Sequence, residues 1–139
     1  MSGLNAFLSQ NAIRAENEKH IISERFLDEE GKPIPWEIRA LSERENQALR
    51  KSFTTKTRVK GVVVTETEYE GYLAKLITES VVFPNLKDKE LQESYGVLGA
   101  ESLAKTMLIG GEYDELLKKV QLVNGFNIED EKIIEEAKN

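Results

Sequence analysis

The sequence has few of the residues on which common chemistries depend. Its 139 residues include no cysteine, one histidine and one tryptophan. Without cysteine the chain can form no disulfide and offers no thiolate nucleophile, and one histidine is too few for a His-rich zinc site. No apolar run approaches the ~18 residues that a membrane-spanning helix needs. We therefore expect no metal, no cofactor and no membrane span.

The N-terminus and the charge balance narrow the class of protein further. The opening MSGLNAFLSQN lacks both the basic region and the long apolar run of a secretion signal, so we expect a cytoplasmic protein. A net charge of −6 argues against a general nucleic-acid binder, because phosphate binding needs concentrated Lys and Arg. With 40% hydrophobic residues, the chain is long enough to bury a core as one domain.

The longest helical pattern lies in the middle of the chain. Apolar residues recur there at i, i+3, i+4, i+7 and i+8, which places them on one helix face. Thr67 and Glu70 fit a T-x-x-E capping box, and Pro84 cannot continue a helix. The pattern predicts a helix over about 68–82. Its apolar face comprises Tyr69, Tyr72, Leu73, Leu76, Ile77 and Val81.

Before this helix, between His20 and Leu41, apolar residues recur at every second position. Ile34, Trp36 and Ile38 alternate there with polar residues or proline, as in a half-buried strand. Residues 28–33, DEEGKP, supply turn formers, so an N-terminal β-hairpin is expected. We interpret Trp36 as an anchor of the core; an exposed interface anchor is the less favoured alternative.

A surface helix and a second hairpin are predicted between these two patterns. Ser42 and Glu45 fit another capping box, which opens a helix that runs to about Phe53. Thr- and Val-rich segments then flank Lys60-Gly61, which indicates either a short hairpin or a β-rich loop. The same region is the one basic stretch of an acidic chain. A solvated surface is its first interpretation and docking on an acidic protein surface its second; the residues are Arg50, Lys51, Lys56, Arg58 and Lys60.

Three shorter helical patterns follow. Asp88 can cap the first, the second ends at Gly110-Gly111, and the third ends at Asn124-Gly125. The expected fold class is therefore α+β, with a mainly helical body of about five helices, an N-terminal β-hairpin and a possible second short hairpin. We predict one globular domain over 1–127, with a mobile arm and linker at 1–18 and a charged, frayed tail at 128–139.

The N-terminal arm carries three large apolar residues, Leu4, Phe7 and Leu8. Packing on the domain and exposure for a partner are equally favoured by the pattern. An exposed arm would also permit self-association into a homo-oligomer.

No arrangement of residues in the sequence predicts catalysis. A hydrolase or transferase needs a nucleophile, a base or a metal set, and only His20 with scattered carboxylates is available. His20 begins a predicted strand next to a charged linker, where an exposed structural role is expected. We predict that the protein is not an enzyme.

Three segments together resemble a known family. They are FLDEEGKPIPWEIRALSERENQALRKS, YLAKLITESVVFPNLKDKELQESYGVLGAESLAKTML and GEYDELLKKVQLVNGF, and they resemble the XkdN-like tail assembly chaperones of phages and of PBSX-like prophages of Gram-positive bacteria. The resemblance covers residues 1–127 and is most specific from Leu76 to Met107. These residues identify a scaffold and no catalytic site.

The resemblance implies a non-catalytic role in building a phage tail. Such a chaperone binds the helical tape measure protein while tail tube subunits assemble, which makes the tail tube protein a second expected partner. Many related chaperones also exist in a longer, frameshifted form. A small adaptor or regulatory protein and a structural tail component are the alternatives.

The partner-binding surface is predicted on the last two helical patterns. A chaperone for amphipathic helices needs an apolar groove or helix face, and methionine adapts to varied partners. Apolar stripes at helical spacing are more often core, which is the competing interpretation. The candidate residues are Leu103, Met107, Leu108, Tyr113, Leu116, Leu117 and Val120.

Overall fold

A computed structural model describes residues 3–126. Within these residues five α-helices and five β-strands are interspersed, with the last three helices in succession, so the predicted α+β class is confirmed. The strands are β1 (Glu18–His20), β2 (Trp36–Ile38), β3 (Thr54–Val59), β4 (Val62–Thr67) and β5 (Val81–Phe83). The helices are α1 (Glu43–Ser52), α2 (Tyr69–Ser80), α3 (Lys89–Ser94), α4 (Ala100–Met107) and α5 (Gly110–Val123).

A small antiparallel sheet holds the N-terminal part of the chain against the helices. Its strand order is β1-β2-β5, with His20 opposite Trp36 and Glu37 opposite Phe83. Trp36 is only 2% exposed, which confirms that it anchors the core. The connection between β1 and β2 is longer than that of a tight hairpin, and an isolated bridge pairs Leu27 with Pro33 within it.

The third strand of this sheet was not expected from the sequence. The helix predicted to reach residue 82 ends at Ser80, and Val81–Phe83 continues directly as β5. The predicted placement of Val81 on the helix face was therefore wrong. The helical spacing of apolar residues continues into Val81, but pairing with β2 places Val81–Phe83 in a strand. Hydrogen bonds between the strands then satisfy their backbone groups.

Helix α2 is the centre of the fold. Six of its residues are buried, on more than one side, because α1, α4 and α5 all contact it. Its N-cap is Glu68, whose carboxylate accepts a hydrogen bond from the Gly71 amide at 2.8 Å. The capping box predicted for Thr67 and Glu70 was wrong, because Thr67 ends β4 and its hydroxyl lies 2.9 Å from that of Thr54.

The other helix boundaries follow their local signals more closely. The capping box of Ser42 and Glu45 is present at the start of α1, and Asp88 caps α3. Helix α5 ends at Val123 with Asn124 as its C-cap, so the predicted stop at Asn124-Gly125 is confirmed. The glycine pair at 110 and 111 does not follow a helix but opens α5, so the break lies at Leu108 and Ile109 instead.

The second hairpin is present as two six-residue strands, β3 and β4. Lys60 and Gly61 form its turn with φ of 53° and 80°. A type I′ turn requires positive φ at both positions, and its twist matches that of the paired strands.

The core lies between the small sheet and helices α2, α4 and α5. Its fully buried large side chains include Trp36 and Ile38 from β2, Leu76 and Ile77 from α2, and Leu103, Leu116 and Val120 from the last two helices. Replacing any one of these with alanine is expected to cost about 2–5 kcal/mol.

Two polar clamps join chain segments that are far apart in sequence. Asn124 accepts a hydrogen bond from the Leu41 amide at 2.7 Å and donates one to the Ser80 hydroxyl at 3.2 Å. Glu112 accepts hydrogen bonds from Ser23 at 2.6 Å and from Arg25, which also donates to the Met107 carbonyl at 2.8 Å. The clamps connect both ends of α5 to the N-terminal half of the chain.

The N-terminal arm does not pack on the domain in the described residues. Gly3–Phe7 forms a short 3-10 helix with no buried residue, and Phe7 is 81% exposed. Of the two interpretations left open by the sequence, the structure shows the exposed arm.

Candidate partner-binding surface

An open apolar pocket lies at one end of the small sheet, where it meets α3 and α4. Its volume is ≈ 190 Å³, and its walls come from five separate segments of the chain. The lining residues, which together we call the apolar pocket, are Phe26, Ile34, Trp36, Phe83, Pro84, Leu91, Tyr95 and Met107.

Aromatic packing forms one wall of the apolar pocket. The rings of Phe26 and Trp36 lie 6.5 Å apart at 53°, a tilted arrangement that favours edge-to-face attraction. The guanidinium of Arg25 lies over the Phe26 ring at 5.2 Å. Because Glu112 holds that guanidinium in turn, the Glu112 clamp positions the Phe26 wall.

The opposite rim leaves two aromatic rings in contact with solvent. Phe83, at the end of β5, is 52% exposed, and Tyr95, which ends α3, is 37% exposed. Trp36, by contrast, is buried at the base of the pocket. Exposed aromatic rings beside an apolar cavity are typical of protein-binding surfaces rather than of a packed interior.

The chemistry of the apolar pocket suits an aliphatic or aromatic side chain. Its volume is slightly larger than an engineered cavity of ~150 Å³ that admits benzene. No Asp, Glu, Lys, Arg or His side chain lines it, so it offers no opposite charge to compensate a buried ion. An amphipathic helix could place one or two side chains in it from successive turns, as in helix-in-groove recognition.

The seven residues predicted for partner binding occupy a different place. Leu103, Leu116 and Val120 are fully buried, and Met107 and Leu108 are each 5% exposed. Tyr113 and Leu117 are half-buried and pack against the core. Their side chains therefore hold α4 and α5 to the rest of the fold, and of the seven only Met107 also lines the apolar pocket. Contact between these seven residues and a partner stays a prediction.

Sequence patterns did not bring the pocket residues together. Along the chain, Phe26 precedes the predicted turn at 28–33 and Phe83 precedes Pro84, while Leu91 lies in α3 and Tyr95 is its C-cap. A local clue was the run of apolar residues, including Phe83, on both sides of the proline in VVFPNL. The convergence itself depends on β5 pairing with β2.

Several titratable groups of the described residues form structural pairs. His20 lies 3.2 Å from Glu18 on the surface. Glu112 has its pKa lowered to about 2, first by the hydrogen bonds from Arg25 and then by the one from Ser23. Burial raises the pKa of Tyr113. Within residues 3–126 no group of three or more His, Cys, Asp or Glu side chains is placed to hold a metal ion.

Comparison with known proteins identifies the family. The model of the phage XkdN-like tail assembly chaperone proteins matches residues 4–138. The chain belongs to the XkdN-like tail assembly chaperone family. The resemblance noted in the sequence is therefore confirmed, and the family extends it into residues 128–138.

Individual relatives of the XkdN-like family agree over almost the whole chain. The YqbN protein of Bacillus subtilis is 37% identical over 138 residues, and the phage-like element PBSX protein XkdN of the same organism is 35% identical over 138 residues. Each alignment covers 98% of this chain and 93% of the relative. The crystal structure of YqbN superposes with a TM-score of 0.80 at 32% identity, covering 91% of this chain and 99% of that one.

Membership of this family supports a role related to phage tails. Among the helices at residues 3–126, none combines the length and apolar character that crossing a bilayer requires.

Proposed function

We propose that this XkdN-like protein is a non-catalytic tail assembly chaperone that keeps the tape measure protein soluble in the cytoplasm of the bacterial host. The apolar pocket is the observation on which the proposal rests. The apolar pocket binds an apolar side chain from an amphipathic helix of the tape measure protein, which inserts between Phe26 and the exposed rings of Phe83 and Tyr95.

Three physical features support this function. The apolar pocket is concave and apolar, and it is bordered by aromatic rings that are already ordered, so binding costs little side-chain entropy. Met107 lies in its wall, and a flexible thioether can adapt to different side chains along a repetitive partner. The chain as a whole carries a net charge of −6, which helps to keep a complex dispersed.

The expected affinity is moderate. Truncating an aromatic anchor at the centre of an interface typically costs ~2 kcal/mol or more, which weakens binding by about thirtyfold. A single pocket of this size cannot hold a long partner tightly. Several copies along one tape measure protein would act together, and the tail tube protein could displace them during assembly.

The test is co-expression of tagged chaperone with the tape measure protein of the same phage or prophage. Phe83→Ala and Tyr95→Ala should each reduce the amount of soluble tape measure protein that co-purifies, and the double variant should abolish it. Leu122→Ala is the matched control, since Leu122 is 49% exposed on α5 and does not line the apolar pocket. Circular dichroism checks that all variants fold.

Two outcomes would overturn the proposal. If the double variant kept the tape measure protein as soluble as the unaltered chain does, the apolar pocket would not be the binding site. If the unaltered chain itself gave no soluble complex but was found in purified tails by mass spectrometry, the protein would be a structural tail component. A chaperone should be absent from finished tails.

A further inference from the structure

The β3–β4 hairpin stands away from the body of the protein. Every residue from 55 to 63 is exposed, on both strands and in the turn. The hairpin is tied to the body at its base, where the Glu68 amide donates to the Phe53 carbonyl at 2.8 Å and the Thr54 hydroxyl donates to the Arg50 carbonyl at 2.7 Å. A two-stranded hairpin without further cover is at best marginally stable in water.

The two faces of the hairpin differ in character. Residues directly opposite each other share a face, so the pairs Val59 with Val62 and Thr57 with Val64 form an apolar face. The other face carries Lys56 and Arg58, and Lys60 adds a third positive charge at the turn. Within residues 3–126 none of these three cations forms an ion pair, although the chain is acidic overall.

The described part of the chain ends beside the base of this hairpin. Phe126 shares a small pocket with Arg50 and Tyr69. The Arg50 carbonyl accepts the hydrogen bond from the Thr54 hydroxyl at the start of β3. Tyr69 is the first residue of α2 and follows the end of β4 by two residues. The last described residue, Phe126, therefore lies next to the point from which the hairpin projects.

The segment that follows has the complementary chemistry. Residues 127–139 contain five acidic residues and two lysines, together with three isoleucines. The acidic residues can pair with Lys56 and Arg58, and the isoleucines can cover Val63, which lies opposite Arg58 on the same face of the hairpin. We infer that residues 127–139 of the same chain dock on the β3–β4 hairpin.

The reach of the segment is sufficient for this contact. Thirteen residues extend up to about 43 Å, and a six-residue strand is about 20 Å long. Because the segment is tethered at the hairpin base, its local concentration is in the millimolar range, so weak contacts are enough to hold it. This inference concerns a surface separate from the apolar pocket and does not depend on the proposed function.

Amide hydrogen exchange on the full chain tests the inference. The amides paired between β3 and β4 should exchange about tenfold faster in the double variant Glu131→Lys, Glu135→Lys than in the unaltered chain. The reversed pair Lys56→Glu, Arg58→Glu should have the same effect. Combining both pairs of substitutions should restore slow exchange, because the charges are then complementary again. Lys105→Glu, Lys118→Glu is the control for charge change alone, since both lysines are exposed on other helices.

The possible results separate the docking partners. Restored protection that does not depend on protein concentration supports docking within one chain. Protection that grows with concentration, together with a larger mass by light scattering, would assign the contact to a second copy and overturn the inference. Equal exchange in the unaltered chain and in the Glu131, Glu135 variant would show that the segment does not cover the hairpin.

Discussion

The hydroxyl group of Tyr72 donates a hydrogen bond to Oδ1 of Asn46, and both side chains are buried. The bond connects α1 to α2 across 26 residues of sequence. Asn46 is the one buried residue of α1, which otherwise presents charged side chains to solvent and half-buries Leu49. A short polar helix is thus attached to the central helix by a specific hydrogen bond as well as by apolar contact.

Tyr72→Phe should lower the free energy of unfolding by about 1–2 kcal/mol, because a buried acceptor on Asn46 loses its donor while the ring remains. Urea unfolding followed by circular dichroism measures the change. Tyr69→Phe is the control, since Tyr69 is 63% exposed and should change stability by less than about 0.5 kcal/mol. Equal effects of the two substitutions would mean that the hydrogen bond contributes nothing specific.

Gly71→Ala should destabilise the protein by about 1–3 kcal/mol, although alanine is the better helix former. A Cβ at this position would lie 2.6 Å from Cε1 of Phe53, the residue at the base of the hairpin. Gly111→Ala in α5 is the matched control, because a Cβ there meets nothing within 4 Å. We expect it to leave stability unchanged or raise it, and a stabilising Gly71→Ala would show that Phe53 moves aside freely.

Stability should fall as the pH is lowered from about 4.5 to about 2. The pKa of Glu112 is lowered to about 2 in the folded protein by hydrogen bonds from Arg25 and Ser23, so the unfolded chain binds the proton more readily. The contribution is therefore fully present above the unfolded pKa and is lost as pH falls through the folded one. Thermal unfolding measured between pH 2 and 6 checks this dependence.

Glu112→Gln should flatten that pH profile and lower the melting temperature at pH 6, where the carboxylate is ionised in the unaltered chain. Glu90→Gln on the exposed face of α3 serves as the comparison. A profile for Glu112→Gln that parallels the unaltered chain would assign the acid sensitivity to other carboxylates.

Asn124→Ala should cost about 2–3 kcal/mol, because the Leu41 amide loses its acceptor and the Ser80 hydroxyl loses a donor. Asn124→Asp should recover part of the loss, since an aspartate still accepts from Leu41 but cannot donate to Ser80. Chemical unfolding of the two variants separates these contributions. Equal stability of the two variants would indicate that the hydrogen bond from the Leu41 amide does not contribute to stability.

Local signals predicted the parts of the fold whose hydrogen bonds are local. The capping box at Ser42, the cap at Asp88 and the hairpin turn at Lys60-Gly61 all involve residues within a few positions of each other, so their chemistry is visible in the sequence. The family was also visible, because its segments retain their order along the whole chain.

The errors arose where a distant segment competes with a local preference. Val81 to Phe83 continue a helical period, but pairing with β2 draws them into a strand. Thr67 fits a cap, yet its hydroxyl meets Thr54 across the hairpin, and Glu68 caps α2 instead. Gly110 and Gly111 suggested the end of a helix, but α5 begins there. The Glu112 carboxylate accepts a hydrogen bond from the Ile109 amide at 3.0 Å and so caps the start of the helix.

The sequence by itself determined the family, the α+β class and the apolar character of the last two helices. Tertiary structure decided which apolar residues remain exposed at the surface. Leu103, Leu116 and Val120 have the same helical spacing that a docking face would have, but the core takes them because burial against α2 removes their surface from water. Phe83 and Tyr95 stay at the surface because β5 is an edge strand and α3 is too short to cover them.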